Sequence, residues 1–374
     1  GYTPAAGLLE LREAIGEHIS TSRGVEIHPD EVVVTPGAKP VIFFTLLALV
    51  NPGDEVIYPN PGFPIYESVI NFVGAKGVPL PLREDVEFRF HLDDLKEAIS
   101  DRTRLLILNS PHNPTGGMLQ AEDLAAIAEL AERYDFYILS DEIYSRILYE
   151  GKHVSPIQLP ALKPRTILLD GYSKTYSMTG WRLGYGIFPK PLVESIVRLM
   201  INSNSCTCAF TQIAGIEALR GSQACVEQMV TEFQRRRDAL VEGLNAIAGI
   251  RCLKPAGAFY AFPNVQQLPL SCGALADYLL HQAGVSLLAG SAFGEFGDGY
   301  LRISYANSLE NIQAALERIR IAIAALANGK TYHQNSDHSR TYALEVAKSD
   351  PPLPPLKRGN LKSPLFKGVG GSSA

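Results

Sequence analysis

A chain of 374 residues is longer than one small hydrophobic core can organise, so we expect two domains or one large α/β unit. Hydrophobic residues make up 46% of the sequence and charged residues 20%, which is typical of a globular protein. The formal charge is −5, and residues 327–374 carry seven Lys and Arg against three Asp and Glu, which leaves about −9 on residues 1–326. This balance argues against nucleic-acid binding, and no apolar stretch has the length of a membrane span.

The five cysteines indicate a reducing compartment. They include no Cys-x-x-Cys pair and cannot all form disulfides, so we expect reduced thiols and a cytoplasmic location. Cys206-Thr-Cys208 has no histidine or further cysteine nearby, and packing is therefore favoured over a metal site. Because the chain begins with Gly rather than Met, we expect its natural N-terminal segment to be missing.

Short apolar runs alternate with helical patterns along the first half of the chain. The runs that predict buried strands are Val32–Val34, Val56–Tyr58, Leu105–Leu108, Tyr137–Leu139 and Thr166–Leu169. The segments with helical spacing are Leu8–Ser20, Val41–Val50 and Glu122–Tyr134. This alternation predicts a mostly parallel sheet with helices on both faces. Ligands of such sheets bind beyond the carboxyl ends of the strands, so we expect the residues after each run to converge on one crevice.

The residues after the first three runs offer three kinds of contact. The small-residue turn at Gly37-Ala38-Lys39 opens a helix and exposes amides that suit a phosphate, although an ordinary βα turn is the alternative. Phe63 stands on a loop between two prolines, where its ring either joins the core or forms a platform for a planar ligand. Asn113 lies in an Asn-Pro-x-Gly turn and provides an amide donor.

The fifth run leads into Gly171–Gly186, the most informative stretch of the sequence. A small-residue turn presents Lys174 with Ser173 beside it, and Arg182 follows eight residues later. An apolar, glycine-punctuated segment after Arg182 predicts another strand. A lysine held at a strand end near a fixed cation suits an amine that forms a Schiff base next to an anchored phosphate. A Ser-Lys pair alone would instead indicate an exposed surface lysine.

The second half of the chain predicts a smaller α/β unit and a tail. Ala224–Ile247 reads as one long helix, and a strand at Gly299–Ala306 carries Arg302, although a strand arginine is usually a surface charge. We expect the chain to divide into residues 1–230, 231–326 and 327–374. The last of these is rich in Ser, Asn, Lys, Gly and Pro and predicts a disordered tail, with a Pro-x-x-Pro ligand as the alternative.

The motif Gly-Tyr-Ser-Lys…Ser-Met-Thr-Gly-Trp-Arg-Leu-Gly at 171–184 resembles the cofactor-lysine signature of class I/II aminotransferases. Further motifs of that family follow in the same order, and the resemblance covers residues 1 to about 326. It implies the fold type I architecture of pyridoxal 5′-phosphate (PLP) enzymes, with a large PLP-binding domain and a smaller C-terminal domain. It also implies a homodimer with active sites at the interface.

The resemblance implies three catalytic residues. Lys174 would form the Schiff base with PLP and, once displaced, would move the proton between substrate and cofactor. Asp141 would keep the ring nitrogen protonated by ion pairing, although an acidic helix cap is the alternative for this position. Tyr144 would hydrogen-bond to the phenolate oxygen of the cofactor.

The same resemblance assigns the binding residues. The residues implied to hold the phosphate are Ala38 and Lys39 through their amides, Ser173, Arg182 and, from the neighbouring subunit, Tyr2. Phe63 would stack on the ring, and Asn113 would donate to the phenolate oxygen and help bind substrate. Arg302 would clamp the substrate α-carboxylate. Gly171 stands where the family often has a hydroxyl residue, so one phosphate hydrogen bond is expected to be lost.

These expectations describe an aminotransferase that works by a ping-pong mechanism. An L-amino acid donates its amino group and a 2-oxo acid accepts it, with 2-oxoglutarate as the default acceptor and the donor left open. A PLP-dependent carbon–sulfur β-lyase is one alternative, because the same residues would serve it. The effector-sensing PLP domain of a transcription regulator is another, although this chain lacks the upstream DNA-binding module. A nicotinamide dehydrogenase is not expected, since no Gly-x-Gly-x-x-Gly follows a strand in the body.

Overall fold

The computed structural model describes residues 1–327, which form ten strands and eleven α-helices. The strands are β1 (Val32–Thr35), β2 (Glu55–Asn60), β3 (Lys76–Pro81), β4 (Thr103–Asn109), β5 (Tyr137–Asp141), β6 (Thr166–Gly171), β7 (Gly184–Ile187), β8 (Tyr260–Ala261), β9 (Leu288–Ala289) and β10 (Leu301–Ser304). The helices are α1 (Leu9–Arg23), α2 (Lys39–Leu49), α3 (Ile65–Phe72), α4 (Leu92–Ala98), α5 (Ala121–Tyr134), α6 (Tyr172–Thr175), α7 (Lys190–Ser203), α8 (Ala209–Arg220), α9 (Ala224–Asn245), α10 (Cys272–Ala283) and α11 (Leu309–Ala327).

The first sheet has seven strands in the order β1-β7-β6-β5-β4-β2-β3. Strands β6, β5, β4, β2 and β3 pair in parallel, whereas β7 is antiparallel to both of its neighbours, β6 and β1. Six of the seven strands therefore run in one direction, which confirms the predicted mostly parallel sheet. Because β7 runs the other way, its first residue lies at the edge where the other six strands end.

The five predicted runs lie within β1, β2, β4, β5 and β6, and each strand is one to three residues longer than its run. Strand β3 was not predicted. Its sequence, Lys76 to Pro81, contains a glycine and two prolines, which is typical of an edge strand that needs few ladder hydrogen bonds. Every residue of β1, β2 and β6 is buried, so the apolar residues of these strands are consecutive rather than alternating.

A buried ion pair links the N-terminal helix α1 to the residue that follows β5. Arg23, the last residue of α1, contacts the carboxylate of Glu142 at 2.8 Å, and His153 Nε2 lies 2.8 Å from the same carboxylate. Burial alone would raise the pKa of Glu142, but Arg23, His153 and the Ser155 hydroxyl together lower it to about 2. Since Glu142 directly follows Asp141, this cluster fixes the backbone at the point where the predicted site begins.

The second sheet is smaller and carries Arg302. Its order is β8-β10-β9, and both pairings are antiparallel. It packs on a separate hydrophobic cluster that includes Leu240, Leu275 and Ile319. Of the predicted tail only Ala327 is described, as the last residue of α11, and the prediction for 328–374 lies outside the described residues. Within residues 1–327, no helix is both long and apolar enough to cross a membrane.

Candidate active site

A cavity of about 530 Å³ opens at the edge of the large sheet where its parallel strands end. Ten of the eleven predicted site residues line it, and they are Ala38, Lys39, Phe63, Asn113, Asp141, Tyr144, Ser173, Lys174, Arg182 and Arg302. Tyr2 does not line the cavity, and its side chain is 94% exposed. The size of the cavity is in the usual range for a small-molecule site.

Lys174 lies on the short helix α6, which follows β6 directly. Its Nζ atom is 5.4 Å from the ring centroid of Phe259 and 5.8 Å from that of Tyr144. Burial lowers the pKa of Lys174, and the positive charge of Arg302 lowers it further. An amine with a lowered pKa is more often neutral near pH 7, so this lysine is suited to act as a nucleophile and as a base.

Asp141 ends β5, and its carboxylate is 5% exposed. The Tyr66 hydroxyl donates to its Oδ2 at 2.7 Å, and the amide of Ile143 donates to its Oδ1 at 3.3 Å. Burial raises the pKa of Asp141 to about 6, although these two hydrogen bonds act in the opposite direction. No cation of residues 1–327 forms an ion pair with it, so the cavity wall contains a buried carboxylate that suits a positively charged ligand group.

A second group of cavity residues, around the start of α2 and Arg182, is suited to an anion. Helix α2 begins at Lys39, so the free amides of its first turn lie in this group. Gly37 has a φ of 84°, and a Cβ atom there would overlap with the guanidinium of Arg182. Arg182 donates to the carbonyl oxygen of Thr179 at 2.7 Å, and none of the described carboxylates pairs with it. A phosphate would therefore meet unneutralised positive charge here.

A chain of hydrogen bonds joins Arg302 to Asp141. Arg302 Nη1 donates to Asn113 Oδ1 at 3.0 Å, and the backbone N–H of Asn113 donates to Asn109 Oδ1 at 2.9 Å. The side-chain amide of Asn109 then donates to the carbonyl oxygen of Asp141 at 3.0 Å. Asn113 is thereby fixed between Arg302 and Asn109, and its side-chain NH2 group is left to donate into the cavity.

Sequence reasoning missed two tyrosines of the cavity wall, Tyr66 and Tyr260. Tyr66 lies on α3 and Tyr260 on β8, but no pattern in the sequence indicated what either hydroxyl group contacts. Tyr66 follows Phe63 by three residues across the start of α3, where its backbone amide donates to the carbonyl oxygen of Phe63 at 3.1 Å and the two rings are 6.0 Å apart. That spacing was the available signal for Tyr66.

Four basic side chains and one carboxylate line the cavity: Lys39, Lys174, Arg182 and Arg302 against Asp141. PLP carries a phosphate, a carbonyl carbon and a ring nitrogen that can be protonated, and each group finds a complementary residue. The anion-binding helix start, the lysine with its lowered pKa and the unpaired buried carboxylate thus fit this cofactor. Together with the sheet, they define a PLP enzyme of fold type I.

Comparison with known proteins gives the family. The family model described as aminotransferase class I and II matches residues 1–319. The chain is 39% identical over 322 residues to an aspartate aminotransferase of Pyrococcus abyssi, covering 85% of this chain and 82% of that one. It is 38% identical to aromatic-amino-acid aminotransferase 2 of Thermococcus litoralis, with the same coverage. The solved aromatic aminotransferase from Pyrococcus horikoshii superposes with a TM-score of 0.85 at 39% identity, over 87% of this chain and 88% of that chain.

The chain belongs to the class I and II aminotransferase family. It is a PLP-dependent enzyme that transfers amino groups. The relatives support this interpretation and give no support to the lyase or to the regulator domain.

Proposed function

We propose that this aminotransferase takes its amino group from a dicarboxylic L-amino acid and passes it to 2-oxoglutarate by a ping-pong mechanism. The observation that carries this proposal is the excess of positive charge around the cavity. If Arg182 binds the cofactor phosphate and Arg302 the substrate α-carboxylate, the ammonium group of Lys39 has no assigned partner. It lies 5.5 Å from the ring centroid of Phe63 and suits the second carboxylate of an acidic substrate.

We assign the cofactor-binding roles as follows. Ser173, Arg182 and the amides of Ala38 and Lys39 bind the phosphate, with the Tyr2 hydroxyl of the neighbouring subunit. The ring of Phe63 packs on the ring of the cofactor. Asn113 and Tyr144 donate hydrogen bonds to its phenolate oxygen. Asp141 stabilises the proton on its ring nitrogen, since a buried carboxylate with no other cation favours an ion pair.

PLP, when bound, supplies the electron sink that makes the substrate Cα–H bond acidic. The protein residues provide binding and proton transfer. Arg302 and Asn113 orient the α-carboxylate so that the Cα hydrogen faces Lys174. The amine of Lys174 would hold the cofactor covalently before substrate arrives, and its Nζ would then accept the Cα proton. Burial and the charge of Arg302 lower the pKa of Lys174, which favours the neutral amine that this role needs.

Replacement of Lys39 tests the donor class. We expect Lys39→Met to lower kcat/KM for L-aspartate and L-glutamate by about tenfold or more, because a charge-assisted contact to the distal carboxylate is lost. For L-tyrosine and L-alanine we expect a change of less than about threefold, since these donors carry no second carboxylate. Steady-state kinetics with each donor measures the difference.

Lys190→Met is the matched control, because Lys190 is an exposed lysine that pairs with Asp30 outside the cavity. It should leave all four donors unaffected. An equal loss for acidic and neutral donors after Lys39→Met would assign Lys39 to the cofactor instead of the donor side chain. No loss for any donor would contradict the acidic donor class.

We also propose a cytoplasmic homodimer. Large apolar side chains stand exposed beside the cavity mouth, including Trp181 at 49% and Phe210 at 74%, and Phe210 and Arg182 line one adjoining groove. Such a patch near a site is suited to cover by a second copy. The five cysteines are free, which fits a reducing compartment.

Light scattering tests the dimer. We expect a mass of twice the 40.7 kDa of one chain, and Phe210→Asp should shift the protein towards the monomer and weaken PLP binding. The matched control is Phe72→Asp, because Phe72 is an equally exposed phenylalanine on α3 that does not line this groove. A wild-type mass equal to one chain would rule the dimer out.

We propose, finally, that residues 1–230 and 231–326 are separate domains. The separate hydrophobic cluster of residues 240–323 and the second sheet support this division. Helix α9 would span the boundary, since it runs from Ala224 to Asn245.

A further inference from the structure

The guanidinium group of Arg302 lies between two aromatic rings. Its central carbon is 4.5 Å from the ring centroid of Tyr260 and 4.7 Å from that of Phe293. Within the described part of the chain it forms no ion pair, and its hydrogen-bond partner is Asn113. Aromatic faces attract a cation without neutralising it, so the rings fix the orientation of Arg302 and leave its charge available. An aspartate or glutamate in their place would compete with a substrate carboxylate.

The register of the small sheet builds this arrangement. Strands β8 and β10 are antiparallel, with Tyr260 opposite Ser304 and Ala261 opposite Ile303. Arg302 precedes Ser304 by two residues, and therefore Tyr260 and Arg302 lie diagonally on the same face of the sheet. Tyr260 is thus placed against Arg302 by backbone pairing, before any ligand is present.

The hydroxyl group of Tyr260 makes a separate contact, with a tyrosine that follows β5 of the large sheet. It lies 3.1 Å from the hydroxyl of Tyr144, and the two rings meet edge to face at a centroid distance of 5.9 Å. Both tyrosines are buried. One hydroxyl of the pair donates and the other accepts. If Tyr260 donates, the O–H of Tyr144 is left to donate into the cavity.

We propose that Tyr260 is a positioning residue that joins the carboxylate-binding arginine to the tyrosine beside the cofactor. Its ring orients Arg302 and its hydroxyl directs the proton of Tyr144, while Phe293 acts on Arg302 alone. This inference rests on the roles of Arg302 and Tyr144 in the proposed function. It assigns separate roles to the ring and the hydroxyl group of Tyr260, and substitutions can remove these roles one at a time.

Three variants of the PLP-loaded enzyme separate the two roles. Tyr260→Phe keeps the ring and loses the hydroxyl, Phe293→Leu loses the other ring and keeps the hydroxyl contact, and Tyr260→Leu loses both features. Each variant is characterised by two measurements that need no turnover. One is the dissociation constant of succinate, a dicarboxylate with no amino group to transfer. The other is the pH midpoint of the visible absorbance change of the bound cofactor.

For Tyr260→Phe we expect unchanged succinate binding and a pH midpoint raised by about half a unit or more. A hydrogen bond from Tyr144 to the phenolate oxygen of the cofactor lowers the pKa that sets this midpoint, and without the Tyr260 hydroxyl the O–H of Tyr144 is no longer directed at that oxygen. For Phe293→Leu we expect succinate to bind about threefold to tenfold more weakly, since one cation–π contact is lost, with an unchanged midpoint. Tyr260→Leu should change both quantities. Thermal melts verify that each variant is folded, and the first two variants suffice if Tyr260→Leu is not.

Parallel changes in both readouts, or no change in either, after Tyr260→Phe and Phe293→Leu would overturn this inference. The wild-type enzyme and Arg302→Lys distinguish that failure from failure of the proposed function. If wild-type enzyme binds succinate and Arg302→Lys loses this binding, the proposed role of Arg302 holds whatever Tyr260 does. If wild-type enzyme binds no succinate or shows no pH-dependent spectrum, the proposed function fails and this inference fails with it.

Discussion

Lys174→Ala is expected to lower kcat by about five orders of magnitude, which corresponds to roughly 7 kcal/mol of transition-state stabilisation. The variant loses the amine that attaches the cofactor and also the base that accepts the Cα proton, and nothing else in the cavity replaces both. Lys39 is the other lysine of the cavity, but its ammonium lies over Phe63 rather than at the end of β6. We therefore expect no rescue from within the site.

Covalent attachment can be measured without turnover. The PLP-loaded wild-type protein should retain a phosphopyridoxyl group on Lys174 after borohydride reduction and tryptic mass mapping, and Lys174→Ala should retain none. Lys39→Met is the matched control and should label at Lys174 like the wild type. Label on any other lysine of the wild-type protein would show that the covalent site has been assigned to the wrong residue.

Asp141→Asn is expected to lower kcat by about a thousandfold or more, because the charge that keeps the cofactor ring nitrogen protonated is removed. The same change should stabilise the cofactor-free protein at pH 8. The pKa of Asp141 is raised by burial to about 6, from an ordinary value of 3.8, so folding buries a carboxylate that prefers water. This shift corresponds to a cost of about 3 kcal/mol at most.

The stability gained by Asp141→Asn should increase with pH. The folded pKa lies above the unfolded one, so the cost is absent below pH 3.8, grows between pH 3.8 and 6 and is complete at higher pH. Urea unfolding should therefore show a large advantage of Asp141→Asn at pH 8 that shrinks as the pH falls towards 4. Asp170→Asn is a control, because burial raises the pKa of Asp170 to about 7 and this residue does not line the cavity.

Asp170→Asn should show a stability gain of the same sign and keep far more activity than Asp141→Asn. Equal losses of activity in the two variants would mean that Asp141 contributes through the fold rather than through a charge at the cofactor. A pH-independent stability difference for Asp141→Asn would show that its carboxylate is not buried as an anion.

The sheet could be predicted from sequence because its strands are buried on both faces. Runs such as Leu105–Leu108 and Thr166–Leu169 are apolar without interruption, and the residues that follow them have chemistry that a core does not need. Strand β3 escaped prediction because an edge strand can carry Pro79 and Pro81, which on sequence alone argue against a strand. Strand order was also out of reach, since β7 inserts between β1 and β6, two strands that are distant in sequence.

The site residues were predictable where each lies in the same short stretch of sequence as the neighbours that indicate its role. Lys174 and Arg182 belong to one such stretch, and Asp141 and Tyr144 to another. The roles of Tyr260 and Phe293 were not predictable, because they depend on tertiary contacts. Tyr260 contacts Arg302 and Tyr144 across 42 and 116 residues of sequence, and Phe293 contacts Arg302 from a short 3-10 helix outside the sheet. Side-chain stacking of this kind depends on the pairing register of the strands, which the pattern of apolar residues does not specify.

One pairing at the base of the site restricts how the chain can vary in length. Gly171 at the end of β6 pairs with Gly184 at the start of β7, and a Cβ atom at Gly184 would come within 2.5 Å of the amide nitrogen of Ala38. Lys174 and Arg182 therefore belong to a single closed loop, residues 172–183, whose two ends are fixed. Adding or deleting one residue would displace one of them by about 3.5 Å relative to the other. Insertions and deletions should accordingly be tolerated in the outer connections and rejected in this loop.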